Sequence, residues 1–197
     1  MEKVLSCPGN EVSDPRVRRT RALLQDALRA LLHEKKFSAI SVQDIAERAT
    51  INRATFYAHY DDKYALLSSI LRSELGAALW RRFPKPTPLT QDSLTRLAAA
   101  VFEFMGEMRM QCPDSARDLE NTIGTMLQAE IYSFIETWIR MGGVSPALRG
   151  RSRETIATVL SWSIFGSALR WSHGDRKQNS EEAAREIAVL LIPANEA

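Results

Sequence analysis

Apolar residues recur along this chain at spacings of three and four, and almost nowhere in strict alternation with polar ones. The first spacing is that of a helix with one buried face, the second that of a half-buried strand, so the pattern predicts helices throughout. Leu24, Ala27, Leu28, Leu31 and Leu32 share one face of the first helix, and Asp14-Pro15 supplies an N-cap followed by a first-turn proline. This helix ends at the charged run Glu34-Lys35-Lys36, and Phe37 and Ile40 anchor the connection beyond it.

Ser41 is a natural N-cap, and Asp44 three positions on completes an acidic form of the capping box. The short helix Val42 to Ala49 places Val42, Ile45, Ala46 and Ala49 on one side. Thr50-Ile51-Asn52 interrupts it, and Asn52 caps a second short helix from Arg53 to about His59. Asp61-Asp62 opens a longer helix, with Tyr64, Leu67, Ile70, Leu71 and Leu75 recurring until Pro84. Pro84, Pro86 and Pro88 cannot lie inside a helix and mark a linker. Further helices are expected from about Gln91 to Gln111, Asp114 to Met141, Ser152 to Ser172 and Glu181 to Leu191. Gly142-Gly143 and Pro146 break the run before the last two. The expectation is an all-α protein of about nine helices, with no internal repeat.

At 197 residues, 45% hydrophobic and 25% charged, the composition is that of an ordinary soluble globular protein. The net charge of +2 says little about partners, but its distribution says more. Between Pro15 and Tyr60 there are nine basic residues and four acidic ones, whereas from Ala65 onward 15 of each cancel. A local positive field of this kind suits a phosphate-binding surface. Cys7 and Cys112 are isolated, so neither a disulfide framework nor a cysteine metal site is expected. Residues 1–14 read as a flexible leader without a signal-peptide core, and no apolar run approaches the ~20 residues that span a bilayer. A cytoplasmic protein with no membrane partner is expected. Gly-x-Ser-x-Gly, His-Glu-x-x-His and Cys-x-x-Cys are missing, and His33, His59 and His173 are scattered. The sequence therefore predicts no enzyme, no cofactor and no metal.

Two short helices joined by a tight turn behind a longer one describe a helix-turn-helix. In the second short helix Phe56 and Tyr60 lie four apart and can face the core, leaving Arg53, Ala54, Tyr57 and Ala58 outward. Ser41 to Leu67 resembles the DNA-binding segment of TetR-family transcriptional regulators. The likeness is carried by Asp44-Ile45-Ala46, Thr55-Phe56-Tyr57, His59-Tyr60, Asp62-Lys63 and Ala65-Leu66-Leu67. Thr50 stands where the family usually has glycine, which implies a turn without its left-handed residue, and Lys36 replaces another common glycine.

The resemblance implies roles for particular residues. Tyr57, His59 and Lys63 fall at positions that contact the sugar-phosphate backbone, and Thr55 at one that bonds a phosphate; Ser41 belongs to the same surface. Gln43, Arg53 and Ala54 fall where base readers sit: Arg53 suits guanine O6/N7, Gln43 adenine, and Ala54 a thymine methyl. Arg16, Arg18 and Arg19 suit backbone or minor-groove contact. The domains implied are a helix-turn-helix domain at 15–61 and an effector-binding and dimerisation body at 62–197.

In that body the family's effector pocket would draw on Phe102, Met105, Met108, Met126, Phe134, Trp138 and Trp162; an ordinary helical core explains the same residues. The segment Thr155 to Trp171 is apolar almost all round and rich in small residues, more than one packing face requires. In similar proteins the last two helices form a four-helix dimer interface, here through Ile156, Val159, Leu160, Ser163, Ser167, Ala184, Ile187 and Leu191, with an internal core helix as the alternative. The resemblance implies a homodimeric regulator, a repressor, that binds a palindromic double-stranded DNA operator and is released by an unidentified small-molecule effector. A helical small-molecule-binding protein without specific DNA binding is the competing reading.

Overall fold

Side-chain caps set the start of each short helix where the sequence places them. In the computed structural model, which describes residues 14–111, 116–174 and 178–192, Asp14 accepts the Arg16 amide at 2.9 Å and opens α1 (Pro15–Glu34). Ser41 Oγ accepts the Asp44 amide at 3.1 Å while Asp44 Oδ2 accepts the Ser41 amide at 2.7 Å, a reciprocal box that begins α2 (Val42–Arg48). Asn52 Oδ1 accepts the Thr55 amide at 3.1 Å and begins α3 (Arg53–Tyr57). Asp62 Oδ1 accepts the Ala65 amide at 2.7 Å at the head of α4 (Lys63–Arg82). The leader through residue 13, with Cys7, and Cys112 lie outside the described residues.

The chain divides into two compact units, one ending at Leu67 and the other beginning at Ser68. In the first, α1 packs on α2 and α2 on α3 around fully buried Leu24, Leu28, Ile45, Phe56 and Leu66. Each such side chain contributes roughly 1.5–3 kcal/mol over its exposed state. Phe37, the first residue of a 3-10 turn (Phe37–Ala39), and Ile40, the residue after it, close the end of this core. The first turn of α4, with buried Leu66 and Leu67, thus belongs to the first unit.

The second unit holds the rest of α4 with α5 (Gln91–Gln111), α6 (Ala116–Gly142), α7 (Arg153–His173) and α8 (Ser180–Leu191). α5 packs against α8 and α7, and α6 against α7. The proline segment is held as a strap. Trp138 Nε1 donates to the Thr87 carbonyl at 2.7 Å, Leu89 N to Gly143 O at 3.0 Å, and Ser145 N to Leu89 O at 2.9 Å. Gly142 permits this approach, since a Cβ there would lie 2.2 Å from the Thr87 oxygen. Inside the unit, buried Gln128 donates to Ser161 Oγ at 2.9 Å, which satisfies both groups. Among the described residues no helix is long and apolar enough to cross a membrane, and no three His, Cys, Asp or Glu side chains gather to hold a metal ion.

The residues expected at a dimer interface and a pocket of this unit differ in burial. Ile156, Leu160 and Ala184, expected in a dimer interface, are buried in their own chain's core. Ser163, Ser167, Ile187 and Leu191 are half-buried. On α7 and α8 the large apolar side chains left to solvent are Val159, Trp162, Val189 and Leu190, with Leu190 82% exposed. Trp162, expected in a pocket, is half exposed. Periodicity could not decide this, because a helix apolar all round has no single marked face. The other expected pocket residues fall into separate groups. Phe134 and Trp138 meet Phe83 and each other at tilted angles, and Phe134 meets Trp80 edge-on, at centroid distances of 4.6–5.9 Å. Phe102 faces Trp171 at 5.5 Å. Met105 is buried, and Met108 and Met126 are half-buried.

Candidate nucleic-acid interface

The short helix α3 owes its orientation to two aromatic residues. Phe56 is fully buried and Tyr60 nearly so, with rings 6.1 Å apart, and together they fix the inner face. Arg53, Ala54 and Ala58 are therefore exposed, Thr55 and His59 half-buried. Tyr57 is 49% exposed and stands edge-on to Phe56 at 5.5 Å, so its ring is braced on one side. This is a surface that can enter a groove: small at Ala54 and Ala58, cationic at Arg53, and polar at the phenol. Arg16, Arg18 and Arg19 are exposed on the first turns of α1.

The turn between α2 and α3 departs from expectation. Thr50 adopts φ 55°, the left-handed conformation that threonine was expected to avoid. The Ile51 amide donates to Ala46 O and the Thr50 amide to Glu47 O, both at 3.0 Å, the paired bonds of a Schellman ending. Threonine occupies the position that glycine fills at lowest cost, and the bonds hold it there.

Other expected site residues have prior partners. Ser41 Oγ also donates to Asp44 Oδ2 at 2.8 Å, so its hydroxyl serves the cap. Exposed Gln43 donates to Glu47 Oε1 at 2.8 Å, one turn along α2, which sets the direction of its amide. Lys63 is held within its own chain. Its Nζ donates to the carbonyls of Phe37, Ser38 and Ile40 at 2.9, 3.2 and 2.7 Å, instead of standing free for phosphate. Burial pushes its ammonium below the usual lysine value, and the charge of Asp44 partly opposes this.

Sequence reasoning missed the ion pairs that brace α2 against α1. Arg48 grips Glu34, and Lys35 Nζ lies 3.0 Å from Asp44 Oδ2. The Arg48 hydrogen bond lowers the Glu34 carboxyl, and Glu34 in turn raises Arg48. Asp44 is held at about 2, first by the Ser41 amide, then by the Ser41 hydroxyl and Lys35. With Leu31 and Glu47 these four line an open groove of about 660 Å³ whose charges largely answer one another. No local signal marks such pairs, because Glu34 and Arg48 stand 14 positions apart and meet only through the fold.

Residues 24–70 match the model of bacterial regulatory proteins of the TetR family. The chain is similar to the HTH-type transcriptional regulator EthR of Mycolicibacterium smegmatis, 47% identical over 178 residues, covering 89% of this chain and 66% of that protein. It spans between 24% and 66% of the lengths of the curated relatives it matches. A TetR transcriptional regulator from Rhodococcus sp. RHA1 superposes with a TM-score of 0.64 at 15% identity, covering 92% of this chain and all of that one. Thermus thermophilus FadR, a TetR-family repressor solved with lauroyl-CoA, gives a TM-score of 0.54 at 22% identity over 90% and 97% of the two chains. At these identities the two structures speak for the fold alone. The capped helix-turn-helix with its buried Phe56 and outward Arg53 and Tyr57, the matched segment and the EthR similarity agree: this chain belongs to the TetR family of bacterial regulatory proteins.

Proposed function

We propose that this chain is a DNA-binding transcriptional repressor that grips a palindromic operator as a homodimer and lets go when a small-molecule effector binds its helical body. The observation that carries the reading is α3, whose inner face is fixed by Phe56 and Tyr60 while Arg53, Ala54 and Tyr57 face outward. The positive charge of the chain is concentrated in this same segment. In this reading residues 15–61 read DNA, with Gln43, Arg53 and Ala54 at base edges and Thr55, Tyr57, His59 and the α1 arginines at the backbone.

Dimerisation is supported by the solvent-facing apolar residues of α7 and α8: Val159, Trp162, Val189 and Leu190. A two-fold axis through this surface would present two α3 helices to half-sites one or more helical turns apart. Residues 62–197 would also hold the effector. The lauroyl-CoA bound by the Thermus neighbour makes an acyl thioester the first class to screen. Operator and effector should then weaken each other by the same factor.

The test is a gel shift on chromosomal fragments upstream of the protein's own coding sequence and its neighbours, at two salt concentrations. A salt-sensitive, sequence-selective shift that disappears with folded Tyr57→Ala supports the reading. Binding indifferent to sequence, or unaffected by that substitution, contradicts it.

A further inference from the structure

Lys63 is the first residue of α4, yet its side chain serves the chain segment that leads into α2. Its Nζ donates to three carbonyls, at 2.9 Å (Phe37), 3.2 Å (Ser38) and 2.7 Å (Ile40). An ammonium carries three protons, and three carbonyls take them. Nζ also lies 4.7 Å from the centroid of the Phe37 ring and 5.7 Å from that of Tyr64, and the two rings meet edge-on at 5.2 Å. The cation thus sits in a cage of carbonyl dipoles and ring faces, where partial desolvation strengthens each contact.

The position of the cage gives it a role. Phe37 and Ser38 belong to the 3-10 turn, and Ile40 directly precedes Ser41, the N-cap of α2. Phe37 O also receives the Ile40 amide, so the ammonium adds to a turn that is already closed by a backbone bond. The ammonium therefore joins the head of α4 to the head of α2, and α2 carries Gln43 and packs on α3.

We propose that Lys63 is a positioning residue of the DNA-reading head, fixing α2 relative to the first turn of α4 through the 37–40 carbonyls, and that it makes no direct phosphate contact. The proposal rests on the DNA-binding reading above. It differs from a phosphate contact in what its loss does. A lost phosphate contact weakens all DNA alike and lowers the salt slope by about one unit. A misplaced α2 weakens the specific complex and leaves non-specific binding nearly intact.

Arginine separates the two further. It keeps the charge and binds phosphate well, but a planar guanidinium does not reproduce three bonds radiating from one nitrogen. The experiment measures the affinity of wild type, Lys63→Arg and Lys63→Met for the duplex recovered by selection from a random pool, and for a scrambled duplex, across a salt series. Both variants are expected to lose about tenfold or more on the selected duplex, to stay within about threefold on the scrambled one, and to keep the wild-type salt slope there. Phe37→Leu, which removes the ring beneath the cation but keeps an apolar side chain, is expected to show the same signature more weakly; it covers the case in which Lys63→Met does not fold. A wild-type-like Lys63→Arg, equal losses on both duplexes, or a fall in thermal stability with unchanged affinities would overturn the proposal. Failure of the wild type itself to tell the two duplexes apart would instead overturn the DNA-binding reading.

Discussion

Arg48 closes on Glu34 through two parallel hydrogen bonds, Nη1 to Oε1 at 2.8 Å and Nη2 to Oε2 at 2.7 Å, so the last residue of α2 is tied to the last residue of α1. Lys35, the residue that follows α1, forms a second pair with Asp44 of α2. Both carboxyls are lowered in the folded chain, Glu34 chiefly by the Arg48 hydrogen bond and Asp44, to about 2, chiefly by the Ser41 amide. A carboxyl lowered on folding contributes stability that is present above its unfolded pKa and lost as pH falls through the folded one. The difference in urea midpoint between wild type and Asp44→Asn should therefore be constant from neutral pH to roughly pH 5 and close as the pH is lowered toward 2. A difference that stays constant over the whole range would count against the assigned contacts.

Thr50 offers a stabilising substitution. A β-branched residue in the left-handed region costs about 1–2 kcal/mol, and glycine there avoids that cost at some loss of chain entropy. With φ 55° and the Schellman bonds already in place, Thr50→Gly should stabilise the first unit by roughly 0.5–1 kcal/mol in chemical denaturation. Destabilisation would mean that the threonine side chain makes a compensating contact.

Gly142 makes the opposite case. A methyl group there would meet the Thr87 backbone at 2.2 Å, and Thr87 is held by the Trp138 indole. Gly142→Ala should cost about 1–3 kcal/mol or more, the range of overpacked cores, because backbone must move to admit it. Trp138→Phe, which keeps a ring but loses the indole donor, should cost less, about 1–2 kcal/mol. A neutral Gly142→Ala would contradict the close approach of the strap.

The two sides of α7 should respond differently. Ile156, buried at 5% exposure, should cost about 2–5 kcal/mol as alanine. Trp162→Glu and Leu190→Glu, at exposed positions, should leave the fold intact and shift sedimentation from dimer to monomer, with operator affinity falling in parallel. A dimer unchanged by both would move the interface elsewhere.

Much of the fold was legible because its signals are local. The caps at Asp14, Ser41 and Asn52 each act within three residues, and the stripe of Leu24, Leu28 and Leu31 follows from helical period alone. The inward Phe56 and outward Tyr57 of α3 were readable for the same reason. What escaped depends on contacts distant in sequence. The Lys63 ammonium finds carbonyls 23 to 26 positions away, and the sorting of Ile156 from Val159 depends on where α5 and α6 lie against α7. Thr50 was misread for another reason: propensity argues against the left-handed region, but two turn bonds outweigh it.

The most direct test of the account is selection of bound duplexes from a random pool by the 197-residue chain, with Arg53→Ala carried in parallel. The account predicts enrichment of an inverted repeat by the wild type, and from Arg53→Ala the same repeat with one symmetric position in each half-site relaxed, a discrimination worth about 1–3 kcal/mol. A wild-type pool that remains random after selection, or one that converges on a sequence without two-fold symmetry, would contradict it.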